Sequence, residues 1–200
     1  MRYLALLLIA ALAGCATRPP PAMPLPVTPW EQRQQQLAPQ QHWTLQGKIA
    51  VRVNGTNNAA NLNWTQHGDA YRIFMAGPLG RGAVDIEGTS QRLRLLIAGE
   101  EPYETDNPEM LLYQRLGWSF PLDQVNWWIR GLPAPASPHR IVLDERQRLS
   151  ELNQSGWTIR YPRYREFNGT ELPAKLILTR GDQLKLTLVF KSWQLGTGES

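Results

Sequence analysis

The sequence predicts a mainly β protein with a few helices, built on a strongly curved antiparallel sheet or barrel. Apolar and polar residues alternate at a period of two from Trp43 to the end of the chain's last apolar run. Short turns such as VNGTNN and QHGD separate the alternating runs, as in hairpins. One central stretch breaks the rhythm with helical grammar, and helices set into a curved sheet commonly plug or cover its open end. Close hairpin spacing argues against a parallel α/β fold.

The first element is a helix. Thr28 is its N-cap, Pro29 its first residue, and Glu31 closes a capping box. Trp30 and Leu37 lie on one side of an otherwise polar PWEQRQQQL, so it rests on the body by one stripe. The strands follow. Trp43, Leu45, Ile49 and Val51 alternate with Thr44, Gln46, Lys48 and Arg52; Leu62 and Trp64 continue the pattern, then Tyr71, Ile73 and Met75. Val84 and Ile86, then Leu93, Leu95 and Ile97, complete the first half. In the central stretch DNPEMLLYQRLG reads as a helix capped by Asn107, with Pro108 at its first position and Gly117 ending it. It carries Leu112 and Leu116. FPLDQVNWWIRGLP reads as a second, starting at Pro121 and ended by Gly131, with Leu122, Val125 and Ile129 on one face. Strands return through Trp157, Ile159 and Tyr161, then Leu176 and Leu178, then Leu184 to Phe190.

GPLGRG, at 77–82, sits between two of these runs. A turn tip normally faces water and carries Asn, Asp, Ser or Gly, so Leu79 is anomalous. It is either tucked back onto the body or placed to meet something apolar from outside.

Two hundred residues suit one domain, and 42% hydrophobic with 19% charged residues belong to a globular chain. The net charge of +4 comes from 21 Lys and Arg against 17 Asp and Glu. The cations are scattered singly along strands, which describes a solvated face and no nucleic-acid site. Residues 1–14 read as a signal peptide: Arg2 is the positive start and YLALLLIAALA an apolar run too short to span a bilayer. The tetrapeptide LAGC ends on Cys15, the only cysteine, and matches a bacterial lipoprotein processing signal. Cys15 is therefore the expected lipidation site, which leaves no thiol for a disulfide. Ala16, rather than Asp, after the cysteine favours the outer membrane by the enterobacterial sorting convention. Residues 15–28 are the lipidated cysteine and a semi-rigid, proline-rich stem, 29–195 a single β-barrel domain, and 196–200 a flexible tail.

Catalytic patterns are missing from the sequence. His42, His67 and His139 have no ligand-pair spacing, there is no G-x-S-x-G elbow, and the cysteine is committed to lipid. GPLGRG lacks the Lys-Ser/Thr pair of a phosphate loop and leads into a strand. No enzyme activity, metal or cofactor is expected. What stands out is the tryptophan content, eight residues. Trp43, Trp64, Trp157 and Trp193 fall on strands; Trp118, Trp127 and Trp128 fall in the helical stretch. They form either ordinary core or the wall of an apolar cavity roofed by the helices, and composition does not separate the two.

The lipoprotein signal, the alternating strands, the GPLG hairpin, the WWIRGLP helix end and the later RLSEL strand resemble, in order and spacing, the outer-membrane lipoprotein receptor family LolB. The resemblance runs from about Trp43 to Trp193. It implies an open, incomplete antiparallel β-barrel covered by a helical lid, as in LolA and LolB. It further implies a receptor that accepts acylated lipoproteins from the periplasmic carrier LolA, holds their acyl chains in an apolar cavity and inserts them into the inner leaflet of the outer membrane. On this reading the protein is a monomer, lipid-anchored in the outer membrane and facing the periplasm. The resemblance places the membrane-delivery leucine at Leu79, mounted by Pro78 and Gly80, with Gly77 and Arg81–Gly82 as departures around it. Strand and helix alternation nominates the cavity and lid: Trp43, Leu45, Ile49, Val51, Leu62, Trp64, Tyr71, Ile73, Met75, Leu112, Leu116, Val125, Trp128 and Ile129. The alternative is an outer-membrane lipoprotein with a cell-wall enzymatic or scaffolding role, which predicts a polar cleft with convergent titratable groups.

Overall fold

The computed structural model describes residues 28–118 and 120–196, and of Leu116 the backbone only. The signal-peptide segment, Cys15, the proline-rich stem before Thr28 and the tail beyond Gly196 lie outside these residues.

Helix α1, Pro29–Leu37, starts as its sequence dictates: Thr28 Oγ1 accepts from the Glu31 N–H, and the Glu31 carboxylate accepts from the Thr28 N–H at 2.7 Å. Six strands then run as a meander: β1 His42–Val53, β2 Thr56–His67, β3 Ala70–Ala76, β4 Val84–Gly88, β5 Leu93–Ile97 and β6 Tyr103–Thr105. Helices α2, Pro108–Leu116, and α3, Leu122–Trp128, follow, and a second meander ends the chain: β7 His139–Leu143, β8 Leu149–Gln154, β9 Trp157–Phe167, β10 Thr170–Arg180 and β11 Leu184–Leu195.

Every neighbouring pair but one is a hairpin in sequence. The exception is β1 with β11, which joins the two meanders into one antiparallel sheet of order β6-β5-β4-β3-β2-β1-β11-β10-β9-β8-β7. Strands β6 and β7 are its edges and do not pair, so the sheet is open. The chain between them is the helical stretch, which must cross from one edge to the other.

The period-two pattern puts one face of this sheet inside. Leu45, Ile86, Leu93, Leu95, Leu152, Ile159, Leu176 and Leu178 have no exposed surface, and burial of each such side chain contributes about 1.5–3 kcal/mol. The β1–β11 register slips between Gln46 and Gly47, leaving Lys191 as the extra residue. Gly47 is required there, because a Cβ would run into the Val189 carbonyl oxygen.

The helix ends follow their signals with one shift. Asn107 Oδ1 accepts from the Met110 N–H and Gly117 closes α2 at φ 75°. Pro121 is the N-cap of α3, one place earlier than the expected first position; its carbonyl already accepts from the Val125 N–H. Beyond Trp128 the chain tightens into a Schellman ending: Gly131 donates to Trp128 O and Leu132 to Trp127 O, with Gly131 at φ 79°.

Candidate functional site

The two helices are fastened differently. Trp128, fully buried, packs at a tilt of 54° against Trp157 with ring centroids 6.2 Å apart, and its Nε1 donates to Gln154 Oε1 at 2.8 Å. The same oxygen accepts from the Ala134 N–H, while Gln154 Nε2 donates to the Ala134 and Ser137 carbonyls. Tyr161 donates its hydroxyl to Trp128 O at 3.0 Å. Arg130 is equally buried and donates to the carbonyls of Leu37 and Gln40 at 2.9 and 2.7 Å, with its guanidinium over the Trp127 ring. It thus caps the C-terminal end of α1. Burial pushes this guanidinium down to about 10, which leaves it charged at neutral pH. Helix α2 seats Leu112 inside but leaves Met110 and Tyr113 more than half exposed.

Two apolar spaces lie under and beside this stretch. The inner one is lined by Ile49, Leu62, Trp64, Ile73, Met75, Phe120, Val125, Leu178, Leu186 and Leu188 and has a volume of about 20 Å³. It has room for roughly one water. The outer one is a groove of about 520 Å³, lined by Ile49, Val51, Ala59, Ala60, Met75, Val84 and Trp118, with Gly77, Pro78, Arg81 and Arg115 at its polar margin. Ile49 and Met75 line both. Trp118, in the groove, stacks on Phe120, in the inner space, at 5.2 Å and 15° between planes. The groove falls within the size range of ligand sites and the inner space far below it.

The expected cavity residues distribute unevenly over these spaces. Ile49, Leu62, Trp64, Ile73, Met75 and Val125 line the inner one, and Val51 the groove. Trp43 packs with Trp64 and Trp193, and Leu45 beside it is fully buried, so both are sheet core lining neither space. Leu112, Trp128 and Ile129 fasten the helices and line neither. Tyr71 lines a separate cleft, and the side chain of Leu116 lies outside the described residues. Phe120, Leu178, Leu186, Leu188 and Trp118 were not among the nominated residues. The last strands' alternation marked the three leucines as inward, but not that they meet the helices.

Leu79 is 94% exposed, the most exposed large apolar side chain among the described residues. It sits in a 3₁₀ turn, Pro78–Gly80, with φ 58° and ψ 27°, a left-handed conformation costing roughly 1–2 kcal/mol for a residue with a Cβ. The turn is locked from within: Gly77 N–H donates to Arg81 O at 2.9 Å and Gly80 N–H to Gly77 O at 3.1 Å. The same turn forms one margin of the groove.

A polar cleft of about 330 Å³ lies at the starts of α2 and α3, where Tyr71, Ser90, Asp106, Glu109 and Asp123 meet. Burial, with Asp69 and Glu109 nearby, raises the Asp123 carboxyl. The Ser90 hydroxyl donates to Asp69 at 3.2 Å, and no histidine is among the residues lining the cleft.

Comparison with known proteins decides the family. The model of the family "Outer membrane lipoprotein LolB" matches residues 41–193. The chain belongs to the LolB family. The outer-membrane lipoprotein LolB of Pseudomonas paraeruginosa is 43% identical over 165 residues, 82% of this chain and 80% of that one. The protein of the same name from Chromohalobacter salexigens is 39% identical over 194 residues, 96% of this chain and 90% of its own length. Among solved structures, a LolA superfamily protein from Nitrosomonas europaea superposes with a TM-score of 0.57 at 11% identity, covering 87% of this chain and 95% of that one. That likeness shows the fold alone: the open sheet with inserted helices is common to LolB-family and LolA-superfamily chains. This LolB-family chain is an outer-membrane lipoprotein, and no helix among its described residues is long and apolar enough to cross a membrane.

Proposed function

We propose that the protein is the outer-membrane receptor for acylated lipoproteins, taking them from the carrier LolA, holding their acyl chains in the groove and inner space, and releasing them into the inner leaflet of the outer membrane at Leu79. The observation that carries this reading is that the two apolar spaces share Ile49 and Met75 as lining, with Gly77, Pro78 and Arg81, the residues around Leu79, at the groove's margin. An acyl chain laid in the groove exchanges water for Val51, Ala60, Met75 and Trp118, gaining about 0.8 kcal/mol for each CH₂ buried. Movement of the Trp118–Phe120 stack would join the groove to the inner space and lengthen the buried track. No nucleotide is needed, because the chain moves toward whichever apolar environment buries it better. Cys15 anchors the receptor by its own acyl groups, and two such chains already give stable attachment.

The test is a chase. Labelled lipoprotein is bound to LolA, the receptor is added, and then vesicles. Label is expected to pass from carrier to receptor to bilayer without nucleotide, and an environment-sensitive acyl probe should compete with it. A receptor that takes up neither probe nor cargo ends the proposal.

A further inference from the structure

The outer face of the sheet is electrically uneven. On the strands of the β3–β6 half, the two arginines are matched: Arg72 pairs with Asp85 and Glu87 at 2.6 and 3.2 Å, and Arg94 approaches Glu104 at 3.9 Å. On the central strands this matching stops. All four lysines of the chain, Lys48, Lys175, Lys185 and Lys191, occupy outward positions of β1, β10 and β11, which are adjacent. Register groups them into rows. Lys48 and Lys175 both stand opposite Val189, one on each side, with Arg163 next in line; Arg52 stands opposite Lys185, which is opposite Thr179. Ala50, Thr187 and Ile177 separate the two rows and carry no charge. Among the described residues none of Lys48, Arg52, Lys175 and Lys185 forms an ion pair.

These rows run toward the end of the sheet that carries Leu79. Arg52 and Lys185 are in the last outward-facing row before the β1–β2 and β10–β11 turns, with only the Val53–Leu184 row beyond it, and the two turns are tied by Asn54 N–H donating to Gln183 O at 3.1 Å. The turn of Leu79 stands beside the β1–β2 hairpin, sharing a groove wall with Val51, Asn58 and Ala59 and adding Arg81. An exposed apolar tip flanked by unmatched cations is the arrangement of an interfacial binder, in which apolar insertion and attraction to anionic headgroups act together.

We propose that this basic strip, Lys48, Arg52, Lys175 and Lys185, binds the phosphates of anionic phospholipids and lays the receptor's outer face along the bilayer while Leu79 enters it. The side chains favour a lipid surface over a protein. The strip has no aromatic anchor, and lysine is depleted at protein interfaces, where rigid aromatic and arginine contacts dominate. Lysine's mobile point charge matches a fluid array of phosphates that has no fixed geometry. The direction of approach rests on the proposed delivery at Leu79; the charge pattern stands apart from it.

The test uses the mature chain with Cys15→Ala, so that no acyl anchor masks the measurement, and vesicles of phosphatidylethanolamine with or without phosphatidylglycerol. The wild-type surface is expected to bind the anionic vesicles more tightly. That preference should vanish near 1 M salt, where the Debye length is about 3 Å. The quadruple variant Lys48→Gln, Arg52→Gln, Lys175→Gln, Lys185→Gln should lose roughly 100-fold in binding to anionic vesicles and nothing on neutral ones. Restoring the charge as Lys48→Arg, Lys175→Arg, Lys185→Arg should restore binding, and unchanged thermal unfolding shows that the fold is intact. The uncharged variant Leu79→Asn should weaken binding to both vesicle types by a similar factor, and acyl-probe uptake without vesicles reads the proposed receptor function separately. Equal binding of wild type and quadruple variant to anionic vesicles overturns the proposal. So does a variant that keeps vesicle binding and loses LolA instead.

Discussion

Gln154 Oε1 accepts two hydrogen bonds at once, from Trp128 Nε1 at 2.8 Å and from the Ala134 N–H at 2.9 Å. Gln154 Nε2 returns two more, to the Ala134 and Ser137 carbonyls. One buried amide therefore fastens the end of α3 and the chain leaving it to strand β8. Gln154→Leu keeps the bulk and strands the Trp128 and Ala134 donors without water. Each of the two orphaned buried donors costs about 1–3 kcal/mol, so the variant should unfold roughly 4–24 °C lower, at about 2–4 °C per kcal/mol for a chain of this size. Circular dichroism melting measures it; an unchanged midpoint would mean that the amide does not hold the helix.

Arg130 makes the second fastening, between α3 and α1. Its guanidinium is buried without a carboxylate; Nη1 donates to the Leu37 carbonyl at the end of α1 and to Gln40 O just beyond it, and Nε donates to Asn126 O. Arg130→Met preserves the stem and removes the donors, leaving those carbonyls without a partner and the end of α1 free to fray. Amide hydrogen exchange should rise at residues 37–41 and over α1 while β9 and β10 stay protected. Arg130→Lys should restore only part of the protection, because a lone ammonium replaces the Nη1 that serves the Leu37 and Gln40 carbonyls but not the Nε that donates to Asn126 O and holds the side chain in place. Uniform exchange over the whole sheet would instead mark Arg130 as ordinary core.

These fastenings show where the sequence was readable. The caps of α1 and α2 are local, each written within four residues, so Thr28, Glu31, Asn107 and Gly117 gave both helices directly. Alternation likewise marked Ile49, Leu62, Trp64, Ile73 and Met75 as inward. Which inward residues line a space is set by the helices crossing from β6 to β7, a long-range event with no local period. Trp43 and Trp64 have the same pattern, yet one is sheet core and the other lines the inner space. Arg130 stands in the WWIRGLP helix end with no role legible from local sequence; only the approach of α1 gives it carbonyls to cap. The outward placement of Leu79 could be read from its misfit in a turn together with the family resemblance, while its left-handed φ could not.

Asp123 gives a pH test. Partial desolvation of this surface-accessible residue, then the nearby Asp69 and Glu109, raises its carboxyl above its ordinary value. A carboxyl whose folded value is raised is destabilising when ionised and ceases to be so as pH falls through that value. Asp123→Asn should therefore raise the melting midpoint at pH 7, and the gain should shrink as pH falls through Asp123's raised folded value, disappearing only below its unfolded value, where both forms are neutral. A gain that persists below pH 4 would assign the effect to packing at the start of α3 and not to charge.

Filling the groove separates holding from delivery. Ala60 lines it from β2, opposite Ile49, and is only partly buried, so Ala60→Trp adds bulk to the space without overpacking the core. Displacing two CH₂ groups of a bound chain costs about 1.6 kcal/mol, or roughly fifteenfold in affinity. Acyl-probe titration should show at least that loss, with vesicle binding through Leu79 unchanged. Undiminished probe binding would move the acyl site away from the groove.

Leu79 holds the opposite half of that division. Its φ of 58° is a conformation in which asparagine is far more at ease than leucine, and its side chain makes no buried contact that offsets the strain. Leu79→Asn should therefore leave the melting midpoint equal or higher, by up to about 1 kcal/mol of relieved strain. Acyl-probe binding should be unchanged, since Leu79 does not line the groove, and deposition of labelled lipoprotein into vesicles should fall. Stability and delivery moving in opposite directions at one residue is the mark of a side chain kept for what it touches outside the protein. A loss of stability in Leu79→Asn would show instead that the turn depends on leucine for its shape, and the exposed tip would then need another explanation.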